Sequence, residues 1–154
     1  KHLVGAWDSG IIYDMEAPAL SGSTCNFCDD AGNAIRRLRR SPTVSVENRW
    51  VYHDELWIDV EAGLGPIPPL KDGGGNARDP QLMLRWSNDG GFNWSNEHWN
   101  TIGAAGATNN RAIWRRLGRA RDRVYELNYS DPTLRDIIGA TLWAETEADD
   151  EGAA

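Results

Sequence analysis

The sequence predicts a mainly β fold built from antiparallel hairpins. Three observations support this: short segments alternate between apolar and polar residues, the connections are rich in glycine and proline, and no stretch keeps a helical period over three turns. The alternation suits either a β-sandwich or a β-propeller-like arrangement, so both remain open. With 154 residues, the chain suits one domain with a single modest core.

The β domain is expected to span residues 1–144 and to be part of a larger protein. Leu3 and Val4 already look like part of a strand, and the first residue is lysine and not methionine. Further strand signals lie at residues 11–15 and 33–40. Since the apolar runs are far too short to cross a bilayer, no membrane span is expected.

The longest alternating run covers residues 50–61 and predicts a half-buried antiparallel strand. The face toward the core is expected to carry Trp50, Tyr52, Leu56, Ile58 and Val60. The other face is expected to carry His53, Glu55, Asp59 and Glu61, while Val51, Asp54 and Trp57 depart from the alternation.

A segment dense in glycine and proline follows at residues 63–80. It predicts a long surface loop without regular elements, and loops of that length are often used for contacts. Between the strand signals that come after it, residues 118–120 predict the tight connection of a β-hairpin. Those strand signals lie at residues 81–86, 111–117, 121–129 and 136–143.

The densest motif runs from Ser87 to Trp94 and reads Ser-Asn-Asp-Gly-Gly-Phe-Asn-Trp. It matches the pattern Ser-x-Asp-x-Gly-x-x-Trp, known as the Asp box. The carboxylate of Asp89 can accept hydrogen bonds from turn amides, and Gly91 supplies a positive φ. Trp94 can fold back over the apolar side of the hairpin. The motif therefore predicts a structural turn at these four positions and no chemistry.

The net charge of −7 is concentrated at the C-terminal end. Five carboxylates and no cation lie in residues 145–154, so the rest of the chain carries only −2. An acidic, alanine-rich segment buries too little apolar surface to offset the entropy of ordering it. Residues 145–154 are therefore predicted to form a disordered tail.

The positive charge of the body is almost entirely arginine and falls into two clusters. Guanidinium groups pair bidentately with phosphate, which makes these residues candidate phosphate or interface contacts. The alternative is a solvated face with ion pairs to nearby acids, and it is favoured because the body is not basic overall. The candidates are Arg36, Arg37, Arg39 and Arg40 in the first cluster, and Arg115, Arg116, Arg119 and Arg121 in the second.

Cys25 and Cys28 form a single Cys-x-x-Cys pair in a loop-like stretch. A structural zinc site needs four ligands, and the sequence has neither a second such pair nor a paired histidine spacing. We therefore expect no metal and no cofactor. A loop disulfide and two free thiols remain the alternatives for this pair.

A carbohydrate-binding or sialidase-like protein is the alternative from a different functional class. A sialidase would need arginines, a tyrosine nucleophile and an acid that converge in a pocket, and Tyr125 lies close to Arg123 and Glu126 along the chain. Because strand neighbours alternate between faces, Tyr125 can share a face with Arg123 while Glu126 points away. No catalytic group is expected, so the chain is predicted not to be an enzyme.

One family resemblance rests on four stretches after residue 80. Residues 81–86 run directly into the Asp box, an arginine-rich stretch covers residues 113–126, and Ser-Asp-Pro and Ile-Ile-Gly-Ala follow at 130–132 and 137–140. Upstream, residues 32–42 and 63–65 fit the same pattern. Together, over residues 10–143, they resemble the C-terminal region of the phage stabilisation family, the packaged-DNA stabilisation or tail-hub (nozzle) proteins of short-tailed bacteriophages.

The resemblance implies a structural virion protein. Proteins of this family form a hexameric ring in the tail, below the portal and its adaptor ring. They keep the packaged genome inside and then form part of the channel for its ejection. The expected partners are other copies of the chain, adaptor and other tail proteins, and, transiently, packaged DNA. An independent oligomeric adhesion or interaction module is a third hypothesis, which the sequence does not separate from this one.

Overall fold

The computed structural model describes residues 3–5, 10, 12–14, 35–61, 70–103, 106–107, 110–131 and 136–147. The regular elements in these residues are β-strands, which confirms the mainly β prediction, and the described part contains no helix that could span a membrane. In chain order the strands are β1 (Leu3–Gly5), β2 (Ile12–Asp14), β3 (Arg37–Arg40), β4 (Val44–Ser45), β5 (Val51–Val60), β6 (Leu70–Lys71), β7 (Ala77–Arg78), β8 (Gln81–Ser87), β9 (His98–Thr101), β10 (Arg111–Ala120), β11 (Asp122–Tyr129) and β12 (Ile137–Thr146).

Two antiparallel sheets make up the body of the fold. The first has the strand order β10-β5-β12, and the second has the order β3-β11-β8-β9, with β4 also paired to β11. Two small antiparallel pairs, β1 with β2 and β6 with β7, stand apart from them. Of the two architectures that the sequence left open, the two main sheets form a sandwich.

The core lies between these sheets and takes apolar side chains from both. Fully burying an aliphatic or aromatic side chain of this size stabilises the fold by about 1.5–3 kcal/mol. The first sheet contributes Leu56, Ile58, Val60, Ala112, Trp114 and Leu117, and the second contributes Leu82, Leu84, Tyr125 and Tyr129, with Ile102 just after β9.

Strand β5 changes its buried face part-way along, which the sequence prediction missed. His53 is only 1% exposed although it was placed on the polar face, whereas Tyr52, placed on the apolar face, is 40% exposed. The pairing of β5 with both β10 and β12 shifts in register opposite residues 53–55. One extra residue in a ladder moves every later side chain to the other face. From Leu56 onward the predicted alternation holds.

The predicted hairpin around residues 118–120 is wrong. β10 pairs with β5, while β11 pairs with β3, β4 and β8, so the two strands belong to different sheets. Arg121 alone connects them. Gly118 lies inside β10, with φ at 75°, at the register shift where Arg116 also has a positive φ of 58°. A tight connection between two strand signals indicates a reversal of direction, but it does not say whether the two strands pair.

The predicted hairpin that carries the Asp box is confirmed. β8 pairs with β9 in an antiparallel register from Gln81↔Thr101 to Leu84↔His98. Residues 88–97 connect the two strands and include the predicted turn.

The glycine- and proline-rich segment is not entirely without regular structure. Leu70 pairs with Arg78 and Lys71 with Ala77, which corrects the prediction for residues 63–80. Asp72 stabilises the turn, since its carboxylate accepts hydrogen bonds from the backbone amides of Gly74 and Asn76 at 2.9 and 2.8 Å. Residues 62–69 lie outside the described residues.

Strand β12 extends into the segment that was predicted to be a tail. It ends at Thr146, and the backbone amide of Glu147 donates a hydrogen bond of 3.0 Å to the carbonyl of Trp50. The boundary at residue 145 therefore falls within the sheet. Residues 148–154 lie outside the described residues, so a disordered tail there stays a prediction. Cys25 and Cys28 also lie outside them, and the alternatives for that pair stay predictions.

Candidate functional site

The turn at residues 87–94 is held by two side chains. The Ser87 hydroxyl lies 2.6 Å from the Asp89 carboxylate and accepts a hydrogen bond of 2.8 Å from the Gly91 amide. The same carboxylate accepts the amides of Phe92 and Asn93 at 3.1 and 2.9 Å. Hydrogen bonds from Ser87 and then from Asn93 lower the pKa of Asp89 to about 2. The turn is therefore fixed by an ionised carboxylate, with Gly91 at a φ of 103°.

Trp94 does not cover the apolar side of the hairpin as expected. Its half-buried ring packs against two guanidinium groups, and the ring centre lies 5.0 Å from that of Arg40 and 4.8 Å from that of Arg85. The hairpin's apolar side is already filled by the core between the sheets. The indole instead packs against cations on the outer face of the second sheet, where its π-face attracts them.

Glu126 binds both of these arginines. Its carboxylate is fully buried and lies 2.5 Å from a nitrogen of Arg40 and 2.5 Å from a nitrogen of Arg85. Burial opposes the ionisation of Glu126, but the hydrogen bonds from Arg40 and Arg85 outweigh it and hold the pKa below its usual value. We call Arg40, Arg85, Trp94 and Glu126 the outer cluster. It joins β3, β8 and β11 to the turn.

Four further predicted or neighbouring arginines have polar partners within the domain. Arg115 pairs with Glu55 at 2.8 Å. Arg37 donates to the Asp131 backbone carbonyl at 2.8 Å and stacks on Tyr129. Asp131 also forms a bidentate pair with Arg78 and accepts the Gln81 amide at 2.8 Å. Arg123 is buried and donates to the Leu117 carbonyl at 2.7 Å.

The remaining five candidates have no carboxylate partner among the described residues. Arg119 and Arg121 stack on Trp50, with distances of 4.8 and 4.9 Å from guanidinium to ring centre. Arg36, Arg39 and Arg116 are exposed. The arginines that the sequence grouped together thus divide into a set that holds the domain together and a set that faces solvent.

Tyr125 faces the interior between the two sheets. Its hydroxyl lies 2.9 Å from Nδ1 of His53, and both side chains are buried. Burial, and then the charge of Arg123, lower the pKa of His53 to about 4. Arg123 lies over the Tyr125 ring on the inner face, and Glu126 points to the outer cluster. The tyrosine and acid of the sialidase hypothesis therefore do not converge.

The described residues contain no group of three His, Cys, Asp or Glu side chains that could hold a metal.

An apolar cleft opens on one side of the sandwich, between β3 and β4 of one sheet and β12 of the other. Its volume is about 420 Å³. The floor consists of core side chains, among them Leu56, Ile58 and Leu127, and Ile138 and Arg39 lie at the rim. Its lining is mainly apolar, with Arg39, Arg40, Ser41 and Tyr125 as the polar members.

Sequence reasoning missed the outer cluster and the position of Trp50. The available signal was a charged residue on the outer face of an otherwise buried strand, at Arg85 and Glu126. That signal identifies charges that need partners but not the partners themselves. Only the pairing of β11 with β3 and β8 brings the three charges together.

Comparison with known families gives the sandwich an identity. Residues 36–145 match the family model described as Bacteriophage P22 Gp10, beta-sandwich. The chain belongs to this family. No match was found among curated proteins. The matched residues run from just before β3 to the penultimate residue of β12 and so take in both main sheets.

The family match confirms the resemblance to tail-hub proteins and the β-sandwich fold. As a P22 Gp10 family member, the chain is a structural protein of a bacteriophage tail and is located in the virion. Residues 1–35 lie outside the matched range.

Proposed function

We propose that this domain is a subunit of the tail-hub or nozzle ring of a short-tailed phage, a ring that retains packaged DNA and forms part of its ejection channel. The observation that carries the proposal is the family match, which takes in both sheets of the sandwich. The proposed ring contains six copies and contacts adaptor and other tail proteins. Its contact with DNA is transient.

The distribution of charge supports a channel that does not grip DNA. Each phosphate that a protein neutralises adds affinity and salt dependence, which would slow passage. Arg40 and Arg85 share Glu126, Arg78 is held by Asp131, and Arg115 by Glu55. An arginine that already has a carboxylate partner has less to gain from a phosphate. These side chains therefore stabilise the domain and contribute little to DNA affinity.

The interior polar groups support a structural and not a catalytic role. Tyr125 and His53 bond to each other in the core, and Arg123 is held by backbone carbonyls. None of these three side chains is more than 4% exposed, so little of them is accessible to a substrate in solution. They contribute to the packing between the sheets.

A stop codon before residue 36 in the phage gene tests the proposed function. We expect heads that fill with DNA and then lose it, on particles whose tails lack the ring. A plasmid that supplies the intact gene should restore stable, infectious particles. Particles that keep their DNA and a complete tail would contradict the DNA-retention role. Reconstruction of wild-type tails by electron microscopy should show six copies in one ring, and any other number would contradict the hexamer.

A further inference from the structure

One side of the sandwich is closed by side chains and the other is open. On the closed side, the Asn100 side-chain amide donates to the Ile113 carbonyl at 2.7 Å, and the Trp114 indole donates to the His98 carbonyl at 3.0 Å. On the opposite side, β3 and β12 are the sheet edges, and the apolar cleft lies between them. No comparable bridge across that side occurs among the described residues.

The rim of the cleft exposes apolar side chains on its β12 edge. Ile138 and Ile137 on β12 are 73% and 46% exposed. β12 is ten residues long, and its outer edge has no strand partner among the described residues. Long apolar edges left open invite association, and contiguous apolar patches mark interaction sites. The cleft is therefore a docking surface.

The occupant needs an apolar group that projects from a fixed support, and this chain has one. Phe92 is 88% exposed, more than any other large apolar side chain of the described residues. Its own amide is bonded to Asp89, and the turn that carries it is held by Ser87 and by Gly91 at a positive φ. A group displayed on a preorganised turn loses little conformational entropy on binding, so that more of its burial appears as affinity.

Charge also matches the turn to the cleft. Residues 88–97 carry the carboxylates of Asp89 and Glu97 and no cation. The rim of the cleft carries Arg39, which has no carboxylate partner among the described residues, and Arg36 lies just before β3. Since Phe92 is almost fully exposed, it does not occupy the cleft of its own chain. A second copy of the chain can supply the group that fits the cleft.

We propose that Phe92 of one copy inserts into the cleft between β3 and β12 of the next copy. The two surfaces are different regions of the chain, so the contact is heterologous and leaves a free turn and a free cleft at its ends. Such contacts close into rings when the rotation between copies allows it. The inference rests on the proposed ring and names the contact that would build it.

Association of the intact protein provides the first test. Its mass distribution as a function of concentration would be measured by light scattering coupled to size-exclusion chromatography. We expect Phe92→Ala to raise the dissociation constant between copies by at least about tenfold, as loss of an anchoring aromatic does. Trp99→Ala is the matched control, because Trp99 is an exposed aromatic (53%) on β9, and it should change association little. An equal loss with both variants, or a monomer at every concentration, would overturn the proposal.

A disulfide between two different variants provides the second test. One protein carries Phe92→Cys and the other Ile138→Cys, both in a background with Cys25→Ser and Cys28→Ser. We expect a cross-linked dimer when the two are mixed and oxidised, and much less from either alone. Copies that associate without this cross-link would show that the cleft is not where Phe92 binds. The stop-codon experiment tests the tail role independently of this contact. If phage without the gene lose their DNA, the tail role stands even when the cross-link does not form.

Discussion

The hydroxyl of Tyr125 lies 2.9 Å from Nδ1 of His53 in the interior between the two sheets. The burial of His53 makes stability depend on pH. The pKa of His53 falls from 6.5 to about 4 on folding, mainly because of burial. Above pH 6.5 the histidine is neutral in both states and has no effect. Below that pH the unfolded chain binds a proton that the folded protein cannot accommodate.

The free energy of unfolding should therefore decrease between pH 6.5 and 4, by about 3 kcal/mol in total from this group. Urea unfolding across that range measures the decrease. A His53→Gln variant should lose this part of the pH dependence, whereas His98→Gln, a matched change on an exposed histidine, should keep it. An unaltered pH profile in His53→Gln would contradict the prediction.

Removal of the Ser87 hydroxyl should weaken the turn. Ser87 is buried, and its oxygen accepts the Gly91 amide and contacts Asp89. Ser87→Ala leaves that amide without its acceptor, at a cost of about 1–2 kcal/mol in the free energy of unfolding. Asp89→Ala should also lower the melting temperature, since two turn amides lose their acceptor. Asn96→Ala, in the same loop, is the control, and an equal effect there would argue against a specific role for the turn.

The outer cluster should depend on Glu126. Its removal leaves Arg40 and Arg85 close together without an anion. Breaking a fully buried pair costs roughly 3–5 kcal/mol, but Arg40 is half exposed to water, and we expect about 2–3 kcal/mol for Glu126→Ala. Replacement of Glu55, the partner of Arg115 on the surface, should change the melting temperature far less. Equal effects of the two substitutions would contradict a special role for the buried carboxylate.

The carboxylate of Glu126 also makes stability depend on pH, and here the folded protein stabilises the charged form of the group. Because the pKa of Glu126 lies below its ordinary 4.5 in the folded state, its stabilising effect is complete above that pH. It is lost as the pH falls through the lower value of the folded protein. Glu126→Gln should therefore remove the stability difference between pH 5 and strongly acidic conditions that this residue causes, as chemical denaturation at several pH values would show.

Binding of the intact protein to duplex DNA should be weak at physiological salt. Arg37 and Arg40 are engaged within the domain, which leaves Arg36 and Arg39 as the solvent-facing members of the first cluster. Titration of labelled duplex across salt concentrations measures the affinity, and substitution of this pair by alanine should change it little. Tight binding at physiological salt that is lost with Arg36 and Arg39 would make the domain a DNA clamp and not a smooth channel.

Local patterns in the sequence were sufficient for most of the strands and for one turn. Alternation over residues 50–61 predicted β5, because apolar side chains two apart face the same side of any strand. The positions of Ser87, Asp89 and Gly91 predicted the turn, because the bonds that hold it span four residues or fewer. Both predictions depend on interactions between near neighbours in the chain, and these are visible in the order of the residues.

Tertiary structure decided which strands pair and which charges meet. Arg40 and Arg85 reach Glu126 across 86 and 41 residues of chain. β10 and β11 are separated by one residue and yet belong to different sheets. The register shift that buries His53 exists only where β5 lies against β10 and β12. The backbone groups along a strand edge are the same for every partner, so a strand's own residues indicate that it has a buried face but not which strand lies beside it.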